Sequence, residues 1–262
     1  FLLHLIRAKR KNPKIDVFIS SPPFPVFLDF IFNNNKLFMD MRDPWSLHDT
    51  LAKITFHRKM IESRFLKKCS EITVVSKFMQ TQLRDEFRVE SHVEYNFPEE
   101  KTSELHPIEH HEIQNLNKDF QEAIENGKII SYIGTTPDNF YDLSKISLLL
   151  ENFVSNNEGY FLFFIGDDSI KKRFSKDFIS SKKIHFINRV TRRSSICYMQ
   201  LSDYVLFFGH RFDGYLSTKL FEYFYLKKRI LAMDMNEDHE IYEILKKYDD
   251  TRFITHLKDF VL

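Results

Sequence analysis

The residue types best suited to chemistry gather in one stretch, DYVLFFGHRFDGYLSTKLFEYFYLKKRILAM, which runs from Asp203 to Met233. An apolar, β-rich run ends at Phe208, and a loop carrying Gly209 and Gly214 follows. Ser217 or Thr218 is a natural N-cap for the helical pattern that begins next. The free backbone amides at such a helix start, added to the helix dipole, make a site for an anion such as a phosphate. Lys219 places a full positive charge beside it. Glu222 lies three residues further on, nearly on the same helical face. A carboxylate at that depth can accept hydrogen bonds from the diol of a ribose. The same spacing also describes an ordinary capped helix with an exposed Lys/Glu pair.

A second candidate is RDPW, Arg42–Trp45, directly after the apolar run LFMD. Residues there would sit at the carboxyl end of a strand, where ligands of open parallel sheets bind. Asp43 is the acidic candidate for contact with a reacting hydroxyl, and Arg42 could bind a phosphate. The alternative is structural: Asp–Pro opens a turn, Arg42 pairs with an acid and Trp45 covers a core. His110–His111 falls in a polar segment and reads as solvated, and SSPPFP at Ser20–Pro25 reads as a strand-end turn because proline cannot pair in a ladder.

The elements that must position these residues alternate. Strand patterns fall at Asp16–Ser20, Leu37–Asp40, Ile72–Val75 and, weakly, His92–Tyr95. A second series follows at Lys128–Ile133, Tyr160–Ile165, Lys183–Ile187, Asp203–Phe208, Ile230–Met233 and Arg252–Thr255. Amphipathic stretches separate them, near Phe24–Phe32, Leu47–Lys67, Lys77–Phe87, Leu143–Asn156, Ser169–Ile179, Arg193–Leu201, Thr218–Leu226 and His239–Lys247. Apolar strands alternating with helices predict parallel βαβ sheets covered on both faces. The fold class expected is α/β, with two Rossmann-like domains. Residues 1–97 form a partial first domain, 98–126 a polar linker or excursion, and 127–262 the second domain. The chain opens on FLLHLIRAKRK, an apolar and basic helical pattern, which predicts a fragment lacking the first βα units of its first domain.

Composition removes several classes. Thirty-eight basic against thirty-seven acidic residues leave a net charge of +1 over 262 residues, which argues against a nucleic-acid binder. Two distant cysteines, Cys69 and Cys197, give neither a disulfide framework nor a zinc motif. No apolar run approaches the ~18 residues of a membrane span. The expected setting is cytoplasmic, with Lys171–Arg173 and Lys227–Arg229 as basic runs able to touch an anionic membrane surface on its inner face. There are only 6 Gly, so each is a candidate for a backbone position that requires it.

Taken in order, these runs resemble the GT-B glycosyltransferases of the retaining, family-4 type. GYLSTKLFEYFYLKKRILA is similar to the segment of that family which holds the sugar donor. IHFINRVTRRSSICYMQLSDYVLFF resembles the preceding unit, YFLFFIGDD its strand and turn, and KIISYIG the first strand and glycine turn of its second domain. DVFISSPPFPVFLDFIF, LFMDMRDPWSL and ITVVSKFMQTQL are similar to first-domain runs of members that build bacterial surface polysaccharides, such as lipopolysaccharide and capsule.

The resemblance implies two Rossmann-like sheets facing across a cleft, and a donor site built from Gly134, Thr135, Asn188, Arg189, Val190, Gly214, Tyr215, Leu216, Ser217, Thr218, Lys219 and Glu222. Glu222 would hold the ribose, and Ser217, Thr218 and Lys219 the diphosphate. The backbone of Asn188–Val190 would read the base, and Gly134 would face the diphosphate. Two departures bear on this. Thr135 stands where the family commonly has arginine, with no lysine before Lys145. Gly214 replaces the earlier member of the family's glutamate pair.

The implied activity is transfer of a sugar, with retention, from a nucleotide-diphosphate donor to a polysaccharide or lipid-linked acceptor. No cofactor or metal is expected, since helix amides and Lys219 can offset the charge of the leaving diphosphate. Arg211 is an alternative source of positive charge. Two other readings stay open: a non-catalytic nucleotide-sugar-binding relic, and a nucleotide-sugar epimerase of the same fold.

Overall fold

The computed structural model describes residues 17–20, 36–42, 56–96, 107–136, 140–166, 169–211 and 216–254. The chain divides into two units, Phe1–Asn96 and Phe97–Leu262, each built on a parallel sheet.

In the first unit four parallel strands lie in chain order: β1 (Val17–Ser20), β2 (Leu37–Met41), β3 (Glu71–Val74) and β4 (His92–Val93). Four of the five residues of β2 are buried, as they are on a sheet covered on both faces. Helix α1 (Phe56–Leu66) contributes Phe65 and Leu66 to this core. Helix α2 (Lys77–Gln82) is capped by Ser76, whose side chain accepts from the Met79 amide. It widens into a π turn over Leu83–Phe87 and ends at Arg88, which adopts the left-handed conformation. The predicted helix at Phe24–Phe32 lies outside the described residues, as do the first residues of the one predicted at Leu47–Lys67.

The second unit carries six parallel strands: β5 (Lys128–Ile133), β6 (Tyr160–Ile165), β7 (Ile184–Ile187), β8 (Tyr204–Phe208), β9 (Arg229–Met233) and β10 (Thr251–Ile254). Their spatial order is β10-β9-β8-β5-β6-β7. The chain winds outward from β5 to β7, returns to β8 on the other side of β5, and winds outward again. This is the doubly wound order, and its switch point lies between β5 and β8.

The crossover helices are α5 (Leu143–Asn156), α6 (Lys176–Ser180), α7 (Arg192–Leu201), α8 (Thr218–Tyr225) and α9 (Glu240–Lys246). Side-chain oxygens of Asp142, Ser175 and Thr191 cap α5, α6 and α7. The stretch predicted as one helix at Ser169–Ile179 is two pieces, a 3-10 segment over Ser169–Arg173 and then α6. The break comes where Ser175 leaves the helical conformation to cap, its hydroxyl donating to Glu151 at 3.0 Å.

Residues 98–126, predicted as a linker, hold two helices in their described part, α3 (His110–Gln114) and α4 (Lys118–Asn126). Both belong to the second unit. Phe120 and Ala123 of α4 are buried, and Phe120 meets the rings of Phe163 and Tyr198 edge-on at 4.8 and 4.7 Å. The Asn117 amide donates to the Tyr198 hydroxyl at 2.9 Å. Glu112 of α3 receives a two-pronged hydrogen bond from Arg193 of α7. That fork, helped by the Glu109 amide, holds the Glu112 carboxyl down at about 2.

A carboxyl lowered from its ordinary 4.5 contributes stability above that pH and loses it as pH falls toward 2. Glu112→Gln should therefore melt below the wild type at neutral pH. The gap should narrow from pH 4.5 downward in a thermal-melt series.

Candidate functional site

The carboxyl ends of β5 and β8 flank the switch point. Beyond β5 comes Gly134, at φ 143°, a backbone conformation that side chains rarely adopt. A Cβ there would also collide with the Nζ of Lys219. The backbone angle is what requires glycine here; the ammonium, at the end of a flexible side chain, takes up the space a Cβ would fill.

Lys219 sits in the first turn of α8. Its Nζ lies 5.7 Å from the centre of the Tyr132 ring, close enough for attraction to the ring face. Tyr132 is fixed by stacking on Phe208 at 4.6 Å and by donating its hydroxyl hydrogen to the Thr135 carbonyl at 2.8 Å. Burial pushes the Lys219 ammonium down to about 8. Glu222 opposes that shift, and the positive charge of Arg192 adds to it.

Leu220, Phe221 and Tyr223 of α8 are buried, and the Tyr223 hydroxyl donates to the Leu206 carbonyl at 3.4 Å. This packing ties α8 to β8 and turns its amino end outward beside Lys219. Ser217 caps the helix in an extended conformation, and its side chain makes no capping hydrogen bond. The first amides of the helix therefore stay available to an anion. Leu216 is buried under this start, while Thr218 is exposed.

One turn along, Glu222 receives a partner that the sequence did not suggest. Arg192, the first residue of α7, reaches its Oε1 at 2.9 Å. Oε2 is buried and has no hydrogen-bond partner among the described residues. The Glu222 side chain is 15% exposed and that of Arg192 52% exposed, so the carboxylate is enclosed and the guanidinium borders solvent.

The predicted residues divide accordingly. Gly134, Lys219 and Glu222 come together at the switch point, with Leu216, Ser217 and Thr218 at the helix start. Asn188, Arg189 and Val190 form the turn beyond β7, leading into α7; the first two are exposed and Val190 is half-buried. Thr135 is exposed beside Gly134. Lys145 does not serve the turn after β5, because it is ion-paired with Asp234. The Arg211 amide donates to Phe140, and its side chain is exposed.

Asp43, Gly214 and Tyr215 lie outside the described residues. In the first unit, Arg42 donates to Asp40 at 2.7 Å and to Asn96 at 2.6 Å. Its pairing with an acid matches the structural alternative for RDPW. Among the described residues no group of three or more His, Cys, Asp or Glu is placed to hold a metal ion. Nor is any helix among them long and apolar enough to cross a membrane.

Sequence reasoning passed over His210, at the end of β8. Its ring lies 4.9 Å from that of Tyr141 and 6.0 Å from that of Phe140. Burial, with repulsion from His239, pushes it down to about 4, so it is neutral at physiological pH. The one available signal was its position directly after a strand-end glycine.

No protein-family model matches this sequence, and no curated protein matches it. Solved structures do match its fold. A UDP-forming α,α-trehalose-phosphate synthase from Burkholderia xenovorans aligns with a TM-score of 0.68 at 9% identity, over 98% of this chain and 67% of that one. The N-terminal domain of trehalose-6-phosphate phosphatase from Candida albicans gives 0.66 at 12%, over 95% and 61%. A glycosyltransferase from Rickettsia africae gives 0.60 at 14%, over 97% and 65%. The chain has the fold of the GT-B glycosyltransferases, an α/β protein with parallel Rossmann-like sheets. It spans between 61% and 67% of the length of these structures.

Two outcomes are expected. Gly134→Ala should destabilise the second unit by about 1–3 kcal/mol, from the forced backbone conformation and the displaced ammonium; denaturant melts measure it. His210 binds protons more weakly folded than unfolded, so it costs stability as pH falls from 6.5 through 4. His210→Gln should flatten the melting profile in that window.

Proposed function

We propose that the chain is a glycosyltransferase that binds a nucleoside-diphosphate sugar at the switch point of its second unit. It passes the sugar, with retention, to a glycan or lipid-linked acceptor, in the manner of bacterial surface-polysaccharide assembly. The observation that carries this reading is the half-buried Lys219 ammonium against Gly134, beside an uncapped helix start and one turn from Glu222.

Each part has a role that follows from its chemistry. The Lys219 ammonium and the first amides of α8 draw the two phosphates and offset the charge that grows as the glycosidic bond breaks. Gly134 lets them approach the backbone. Glu222 accepts from the ribose hydroxyls, and backbone groups of Asn188–Val190 are assigned to the base. With the leaving charge offset by these groups, no metal need be recruited. The acceptor attacks from the face the diphosphate leaves, and a phosphate oxygen takes the hydroxyl proton. No separate general base is needed for that step, and Arg42 and Asp43 are assigned to the acceptor.

A second reading, a nucleotide-sugar binder without transfer, is favoured by neutral Thr135 and by Arg192 already occupying Glu222. Release of nucleotide that is faster with acceptor than without it separates the two.

The protonated form of Lys219 is the one that attracts the diphosphate. UDP affinity, measured calorimetrically, should therefore fall above pH 8, by up to tenfold per pH unit. Lys219→Met should bind more weakly at pH 7 and lose that pH dependence. Glu222→Ala should weaken UDP by about 10- to 100-fold through loss of charge-assisted hydrogen bonds, and should lower the melt as well, because Arg192 and the buried Lys219 both lose a counter-charge. Equal affinity in wild type and Glu222→Ala would remove the donor assignment.

A further inference from the structure

The donor site as read above lacks charge. The diphosphate of a nucleoside-diphosphate sugar carries about two negative charges near neutral pH, and the free nucleoside diphosphate about three, since its terminal phosphate ionises a second time near pH 6. The turn after β5 answers with two neutral residues, Thr135 and Thr136. Lys145, the next lysine along the chain, is held by Asp234. Lys219 supplies one full positive charge, and the first amides of α8 add only partial ones. A further cation, Arg192, is already in contact with the site through Glu222.

Glu222 shows a matching mismatch. A ribose diol needs two acceptor oxygens, yet Oε1 is taken by Arg192 at 2.9 Å. Oε2 is buried with no partner among the described residues. The carboxylate is therefore half prepared for a diol, and half occupied by a cation on a side chain that is 52% exposed. The guanidinium borders solvent, and it forms two parallel hydrogen bonds to a phosphate as readily as to a carboxylate.

We propose that Arg192 is the second cation of the donor site and works by exchange. The ribose hydroxyls take both oxygens of Glu222, and the released guanidinium closes on the diphosphate. The step rests on the donor site described above. It makes recognition of the two halves of the ligand interdependent. A nucleoside alone must break the Arg192–Glu222 pair with nothing offered in return, whereas a nucleoside diphosphate replaces that pair with a stronger one.

The test compares the 262-residue chain with Arg192→Gln and Arg192→Lys, titrating uridine and UDP, then guanosine with GDP and adenosine with ADP. Melts are recorded alongside. In Arg192→Gln, nucleoside affinity should rise about 3- to 10-fold, because Glu222 is unmasked, while diphosphate affinity falls about 10- to 100-fold. Arg192→Lys should recover part of the diphosphate affinity and keep the nucleoside weak.

A merely structural role would move both ligands the same way. If both affinities fall together, or if UDP, GDP and ADP bind equally with and without Arg192, the exchange is wrong. If the wild type binds none of the three diphosphates, the donor site itself is refuted and this inference goes with it.

Discussion

An ammonium packed against a bare backbone is the constraint around which the second unit is arranged. Burying a charged amine costs free energy, and the fold answers that cost with the Tyr132 ring face and the Glu222 carboxylate. Each answer depends on the sheet. Tyr132 lies on β5 and stacks on Phe208 of the adjacent β8. Glu222 lies on the helix that follows β8. Parallel pairing brings the carboxyl ends of β5 and β8 to the same edge, so both arms meet Lys219 there. Gly134 takes the backbone angle that side chains rarely adopt, and the ammonium fills the space left beside it.

Helix α7 carries two consecutive arginines with different duties. Successive residues of a helix point about 100° apart, so Arg192 and Arg193 face different neighbours. Arg193 grips Glu112 and fastens α3 to the unit, while Arg192 reaches Glu222 on α8. The first contact anchors the helix that presents the second.

Much of this was legible in the sequence, for reasons specific to parallel sheets. Runs such as YFLFFI are apolar at every position because both faces are covered, and all six residues found their place in β6. Gly134, Lys219 and Glu222 were visible as a glycine turn and a helix start with charges at one-turn spacing.

What stayed hidden rests on contacts between distant segments. Helix α4 carries an apolar stripe, Phe120, Ala123 and Ile124 at helical spacing, but it is one short turn-and-a-half set in a run of polar and acidic residues. Arg192 and Glu222 stand thirty positions apart, and the run TRRSS reads as an ordinary solvated helix start. The ring of His210 is buried by Tyr141 and Phe140, far back along the chain. For Arg42 the sequence offered two partners, a phosphate or an acid; the structure shows the pair with Asp40, and adds Asn96, fifty-four positions away.

The central claim is that the Lys219 ammonium is the charge that receives a diphosphate. It is tested most directly by titrating that one group by NMR, through isotope-labelled lysine assigned by Lys219→Met, with and without UDP. The account predicts a pKa near 8 in the free protein, displaced well upward when UDP is bound, because an adjacent dianion favours the charged amine. A Lys219 resonance that titrates at the same pH in both states, while UDP is demonstrably bound, would contradict it.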